Sequence, residues 1–158
     1  LVTVPMGAIL DPHLAQTLIT RFAPLVKLHE TESYFPSSVE WFVKRCSLEN
    51  RNPNYIIKEK GSVTLNDLGM YTHPAAGSEF YLNPQGDRST FAGQPLVYGA
   101  VQAPCYANLI ETPQGAVIQY LFFYPFNGPF LGPAEVVGLL AHFNITFGSH
   151  EGDWEHIN

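Results

Sequence analysis

The feature that most constrains the fold is a pair of β-rich runs on either side of a turn. Residues 105–111 and 116–123 flank the turn sequence TPQG at residues 112–115, with proline at its second position. The second run is almost wholly apolar, which predicts a central strand with a neighbour on each side. The chain also contains 13 glycines and 13 prolines, more than a helical bundle tolerates, because each ends or kinks a helix. We therefore expect a mostly β fold, a β-sandwich with two or three peripheral helices.

Two helices are predicted before this hairpin. Asp11 and Pro12 form a helix start, and Leu14, Leu18 and Phe22 then recur every four residues, which predicts that they form its buried face. A second, short helix is predicted to begin at Ser37 or Ser38, with its buried face formed by Val39, Phe42, Val43 and Cys46. Further strands are predicted at residues 25–29, 79–82, 95–101 and 148–158, and a third helix at residues 133–143.

The length of 158 residues predicts one domain, 1–158, that can bury a core. The sequence stops at Asn158, in the middle of a predicted strand, although a sandwich needs about seven strands or more. We therefore expect an incomplete, truncated or cleaved sandwich whose sheet is completed by a second polypeptide. Cys46 and Cys105 could form one disulfide or remain buried free thiols, and the sequence leaves both possibilities open.

Charge and hydropathy exclude two classes of partner. The net charge is −6, and the basic residues form no cluster larger than Lys44 and Arg45, so a nucleic-acid-binding face is not expected. No apolar run approaches the roughly 20 residues that a membrane-spanning helix requires, so no transmembrane segment is predicted.

The residues that point to chemistry lie near the end of the chain. In a strand, Asp153 and Glu155 share one face, whereas Trp154 and His156 share the other. Two ionised carboxylates on one face repel each other, and a bound cation removes that penalty. Gly152 can adopt the positive φ that would fold His150 back over the carboxylates.

His150, Asp153 and Glu155 are therefore candidate ligands of one divalent cation, which could be calcium, magnesium, manganese or zinc. The alternative is an acidic turn with a solvated histidine. Trp154 is expected to be buried and structural. Glu151 and His156 are candidates for a catalytic base, and His156 is more simply explained as a core histidine.

Several segments resemble a known family. Residues 124–129 (YPFNGP) and 148–156 (GSHEGDWEH), with residues 23–26 and 34–42, resemble the vacuolar protein sorting-associated protein 62 family. Residues 148–156 are also similar in spacing to the site motif of the necrosis- and ethylene-inducing-peptide-like cytolysins. Those proteins are β-sandwiches that bind a divalent cation and attack plant membranes through sphingolipid headgroups.

The second resemblance implies a ligand set. It assigns cation binding to His150, Asp153 and Glu155, and it places Asn127 at the position of a further aspartate ligand. An asparagine there offers a carbonyl oxygen without a charge. The sequence also departs from the cytolysins at Gly152, where they have a second histidine.

Aromatic residues precede this motif. Tyr124, Phe126 and Phe130 either belong to the sandwich core or line a ligand cleft beside Asn127.

Three functions fit these features. The first is a divalent-cation-dependent binding domain that recognises a glycan or lipid headgroup, as the cytolysins do at membranes. The second is a metal-assisted hydrolase, and the third is a structural domain whose cation holds a loop in place. A secreted or vacuolar location is favoured.

Overall fold

Two β-sheets and three helices make up the part of the chain that the computed structural model describes, which is residues 2–3, 11–72, 78–84, 90–112, 115–128 and 150–157. The protein is thus mostly β, as predicted. The elements in chain order are β1 (Val2–Thr3), α1 (Pro12–Arg21), α2 (Val39–Val43), β2 (Ser47–Arg51), β3 (Asn54–Lys58), α3 (Leu65–Met70), β4 (Phe80–Asn83), β5 (Tyr106–Thr112), β6 (Gly115–Asn127) and β7 (His150–Ile157).

The larger sheet contains the predicted hairpin. Its strand order is β1-β5-β6-β7, with β1 parallel to β5 and the other neighbours antiparallel. The hairpin register runs from Tyr106 opposite Leu121 to Thr112 opposite Gly115, so the hairpin prediction is confirmed, while residues 113–114 of its turn lie outside the described part. The apolar strand β6 is central, as predicted, because β5 and β7 flank it.

Helix α1 covers one face of this sheet. It begins as predicted, since the Asp11 side chain accepts a hydrogen bond from the backbone N–H of His13. The predicted apolar face is wrong for two of its three residues, while Leu18 is half-buried. Leu14 and Phe22 are 45% and 59% exposed, and the residue buried against Ala107 and Tyr120 is Ile19. The Tyr120 hydroxyl donates to the Ile19 carbonyl at 2.7 Å, which fixes the rotation of the last helical turn on the sheet.

Helix α2 covers the other face and connects the two sheets. Its N-cap is Ser38, whose hydroxyl oxygen accepts from the Trp41 N–H at 3.0 Å, and Phe42 and Val43 are buried as predicted. Phe42 meets Phe123 of β6 edge-on at 5.2 Å, while Val43 packs with Leu48 of the smaller sheet. The smaller sheet, ordered β3-β2-β4, therefore shares a core with the larger one through α2.

The two cysteines are free thiols. Cys46 is fully buried below α2, and burial, followed by the charge of Glu151, raises the pKa of its thiol to about 12. Of the two possibilities that the sequence leaves open, the free thiol is therefore the one observed, and Cys46 acts as a small core residue.

Two predicted strands are not found. Residues 25–29 are described but form no strand, and Leu25 projects into solvent. Residues 95–101 form a tight turn closed by a single bridge between Val97 and Ala100, because these two residues pair with each other instead of with a sheet. The predicted helix at residues 133–143 lies outside the described part of the chain. None of the described helices is long and apolar enough to cross a membrane.

Candidate functional site

The predicted site lies where β7 runs beside the last residues of β6. The antiparallel register places Asp153 opposite Tyr124 and His150 opposite Asn127. Asp153 and Glu155 face a common pocket, as strand alternation predicts. Trp154 lies on the opposite face, where its ring meets Phe123 edge-on at 5.2 Å.

The pocket has a cavity volume of about 280 Å³. Three carboxylates, one amide and three aromatic rings form its walls, and no lysine, arginine or histidine is among the lining residues. The lining residues are Glu32, Tyr34, Tyr124, Phe126, Asn127, Asp153 and Glu155. Its volume lies near the lower end of small-molecule sites, which span roughly 300–1,000 Å³.

Asp153 contacts a neighbour on each side within the site. The Asn127 side-chain amide donates to its Oδ2 at 2.9 Å, and the His150 Nδ1 lies 3.8 Å from its Oδ1. The side chain of Asp153 is 20% exposed, whereas that of His150 is 52% exposed and does not line the pocket. Gly152 has a φ of +72°, so the predicted positive φ is confirmed at the residue between His150 and Asp153.

Glu32 and Tyr34 enter the site from a segment before α2. The Glu32 carboxylate accepts the backbone N–H groups of Ser33 and Tyr34, each at 2.9 Å, which fixes the carboxylate at the pocket wall. The Tyr34 ring lies 5.1 Å from the Phe126 ring. A Cβ added to Gly128 would lie 2.6 Å from the Cε2 atom of Tyr34, so this ring occupies the space beside the glycine backbone.

The aromatic wall has support from behind. The Phe91 ring stacks on Phe126 with centroids 4.5 Å apart and an interplanar angle of 18°. This stacking fixes one wall of the pocket, since Phe126 has an aromatic neighbour both in Phe91 and in Tyr34.

The negative charge of the site acts on the Tyr124 phenol. Burial raises the pKa of Tyr124, and the charges of Glu32 and Glu155 raise it further. Each of these effects disfavours the phenolate, which would add another negative charge. The pocket therefore favours a positively charged occupant.

Some of the predicted site residues line the pocket, and others do not. Asn127, Asp153 and Glu155 line the pocket together with two of the predicted cleft residues, Tyr124 and Phe126. Phe130, the third predicted cleft residue, lies outside the described part of the chain. Glu32 and Tyr34 were not predicted as site residues, and the one sequence signal near them is the resemblance that begins at residue 34.

The predicted burial of Trp154 is wrong, since the residue is 46% exposed. Its ring contacts Phe123 and Tyr106 by their edges, on the outermost described strand of the sheet, so part of it stays open to solvent. His156 is exposed, so it is not a core histidine. Neither His156 nor Glu151 lines the pocket, and the charge of Glu151 acts instead on Cys46.

The pocket offers oxygen donors only. Carboxylates and amide carbonyls are the ligands that calcium and magnesium prefer, whereas zinc more often takes imidazole or thiolate. Among the described residues, no three His, Cys, Asp or Glu side chains lie close enough together to hold a metal ion. Asp153 and Glu155 could therefore supply part of a coordination shell, with the rest coming from the oxygens of water or of a ligand.

The comparisons with known proteins match nearly the whole chain. Residues 5–158 match the family model described as vacuolar protein sorting-associated protein 62. A yeast protein, Vacuolar protein sorting-associated protein 62 of Saccharomyces cerevisiae, is 31% identical over 155 residues, which cover 85% of this chain and 30% of that protein. A second yeast protein, named Putative vacuolar protein sorting-associated protein TDA6, is 28% identical over 174 residues, which cover 98% of this chain and 35% of that protein.

The chain spans about one third of the length of these curated relatives. No solved structure is significantly similar to it.

Proposed function

This chain belongs to the vacuolar protein sorting-associated protein 62 family, and from its pocket we propose that it is a divalent-cation-dependent binding domain for a glycan or lipid headgroup. The names of the yeast relatives associate them with vacuolar protein sorting, which describes a process and not a chemistry. The similarity of the site segment to the cytolysins stays a prediction and gives the proposal its ligand class.

The observation that carries the proposal is the charge of the pocket. Glu32, Asp153 and Glu155 line one cavity without a basic residue among the lining side chains. Carboxylates around one cavity attract a divalent cation, which neutralises their charge. Calcium or magnesium would be held by Asp153 and Glu155 and would complete its shell with ligand oxygens.

Binding is favoured over the hydrolase and over a purely structural cation. A catalytic base must reach the reacting atoms within hydrogen-bond distance, directly or through one water, and the two candidates, Glu151 and His156, do not line the pocket. A cation that only held a loop in place would not require a cavity of about 280 Å³ with aromatic walls.

The aromatic walls favour a second candidate ligand, an organic ammonium group. Tyr34, Tyr124 and Phe126 present rings to the cavity that the three carboxylates share. Contact with an aromatic face stabilises a bound ammonium group by about 0.5–2 kcal/mol, and neighbouring carboxylates add a charge attraction. A headgroup with a quaternary ammonium would use both kinds of wall at once.

We also propose that a second polypeptide completes the larger sheet at β7. Among the described strands, β7 has a neighbour on one side only. An unpaired strand edge exposes backbone donors and acceptors that readily pair with another strand.

The experiment that tests the binding function measures the thermal midpoint with calcium, magnesium, manganese and zinc in turn. A ligand that binds only the folded state stabilises it by about 2.7 kcal/mol at 100 times its Kd, which raises the midpoint by roughly 5 °C or more. Asp153→Asn keeps the shape of the side chain but removes its charge, and we expect it to weaken cation binding at least about tenfold.

The matched control is Glu151→Gln, which removes a carboxylate from the same strand outside the pocket. It should leave the shift unchanged. Unchanged midpoints with all four metals would contradict the cation proposal. If tetramethylammonium alone raised the midpoint, and did so less in Asp153→Asn, the organic ammonium would be the ligand instead.

A further inference from the structure

The turn at residues 97–100 has a geometry unlike the rest of the described chain. Val97 and Ala100 exchange two backbone hydrogen bonds, at 3.0 and 2.9 Å, and close a two-residue turn. The two central residues have positive φ, 51° at Tyr98 and 76° at Gly99. Positive φ at both positions is the geometry of a type I′ turn, for which asparagine, aspartate or glycine is the favoured first residue.

Tyr98 is the one non-glycine residue with positive φ among the described residues. A bulky side chain in the left-handed region strains the backbone, because its Cβ approaches the following carbonyl oxygen. Its side chain is also fully exposed, so no burial within the described part of the chain offsets this strain. Such an outlier on a surface loop points to a function outside the fold.

The residues next to Tyr98 in the sequence are apolar and uncharged. Leu96, Val97 and Val101 are exposed beside it, and no charged residue occurs from residue 89 to residue 110, in a chain whose net charge is −6. The turn therefore exposes one aromatic and three aliphatic side chains. We refer to residues 96–101 as the apolar tip.

We propose that the apolar tip inserts into the interface of a lipid bilayer made of neutral, zwitterionic lipids. Tyrosine is enriched at membrane interfaces, because its ring is apolar and its hydroxyl remains hydrated among the headgroups. The aliphatic neighbours extend the same apolar surface. The tip has no charged side chain that could form an ion pair with a protein partner, whereas insertion among neutral lipids requires none. The net negative charge of the chain selects against anionic lipids.

The apolar tip is anchored beside the pocket. Phe91 stacks on the pocket residue Phe126, and the Gln94 backbone N–H donates to the Ser37 hydroxyl at 2.6 Å. Tyr98 follows Phe91 by seven residues, so the two lie at most about 25 Å apart along a fully extended chain. A bilayer that holds the tip is therefore within reach of the pocket region. This inference goes beyond the proposed function, since insertion of the tip requires no cation.

The experiment is flotation of the 158-residue protein with phosphatidylcholine vesicles, in EDTA and in calcium. We expect the wild type to float in both. Tyr98→Asn should reduce the bound fraction at least about tenfold, because the buried aromatic surface is lost. Asparagine adopts positive φ readily, so this variant should keep the turn and the fold. Tyr55→Asn is the matched control, since Tyr55 is a half-exposed tyrosine of β3, and it should float like the wild type.

Three outcomes would overturn the proposal. One is a wild type that does not float in EDTA. Another is flotation that Tyr98→Asn leaves unchanged. The third is Tyr98-dependent self-association in sedimentation velocity without flotation, which would assign the tip to a second copy of this chain. The first two outcomes together, with flotation that requires calcium and is lost in Asp153→Asn, would assign lipid contact to the pocket alone. A failed cation titration would leave the result in EDTA unaffected.

Discussion

Asp67 shows how one side chain couples the start of a helix to a neighbouring strand. The Lys58 ammonium of β3 donates to its Oδ1 at 2.7 Å, and both the hydroxyl and the backbone N–H of Thr64 donate to its Oδ2 at 2.8 Å. The Lys58 hydrogen bond, followed by those from Thr64, lowers the pKa of Asp67 from 3.8 to about 2. The Asp67 side chain accepts from the Thr64 backbone N–H, and the Thr64 side chain accepts from the Asp67 backbone N–H. These two bonds form a capping box at the start of α3.

This shift predicts how stability depends on pH. Since the folded pKa is depressed, the contribution of Asp67 is present above pH 3.8 and is lost as pH falls towards about 2. We expect the free energy of unfolding to fall over that window, and to fall less steeply in Asp67→Asn. Urea unfolding at successive pH values measures both curves, with Glu59→Gln as a surface control. Parallel curves for Asp67→Asn and the wild type would contradict the prediction.

Among the pocket residues, those of β6 and β7 could be predicted, whereas Glu32 and Tyr34 could not. Alternation along β7 is enough to place Asp153 and Glu155 on one face, and the structure has them lining one pocket. Glu32 and Tyr34 belong to the same pocket only because the segment before α2 packs beside β6, where the Ser37 N–H donates to the Phe123 carbonyl at 2.8 Å. Nothing in the local pattern of either segment encodes that contact.

At the level of elements, α1 shows what helical periodicity leaves undetermined. Its start could be predicted, but its buried side could not, because Ile19 packs against Ala107 and Tyr120, which lie about a hundred residues away in the sequence. Residues 25–29 and 95–101 show the same limit for strands. Their composition favours strand, yet a strand requires a pairing partner, and composition does not specify one.

The helix gives a direct test of the observed face. Ile19→Ala should lower the free energy of unfolding by about 2–5 kcal/mol, because it leaves a cavity against Ala107 and Tyr120. Leu14→Ala, on the side that the periodicity predicted to be buried, should change it by less than about 1 kcal/mol. Chemical denaturation of both variants provides the comparison. Equal losses of unfolding free energy in the two variants would contradict the packing of α1 through Ile19.

For the whole molecule, the outer edge of β7 is an open edge of the larger sheet among the described strands. Trp154 and Ile157 of this strand are about half exposed, and β6 is its one neighbour among the described strands. The exposed backbone groups of such an edge favour pairing with another chain.

We therefore expect the 158-residue chain to associate through β7. Native mass spectrometry should detect a dimer or higher species at micromolar concentration. Ile157→Lys, which places a charge on the edge strand, should shift the population towards monomer. Met70→Lys, at an exposed residue of α3, serves as the control. A wild type that is a stable monomer would show that the sheet needs no second polypeptide.

Gly128 has a consequence for how the pocket would be studied. The Tyr34 ring occupies the place where any other residue at position 128 would have its Cβ. The position of this ring in the pocket wall therefore depends on Gly128 having no side chain. Mutational surveys that shorten side chains to alanine detect groups whose removal matters. At this position alanine is an addition, and it would force Tyr34 to move away from Gly128. A change of one methyl group would thus alter the shape of the cavity while every acidic residue that lines it remained in place.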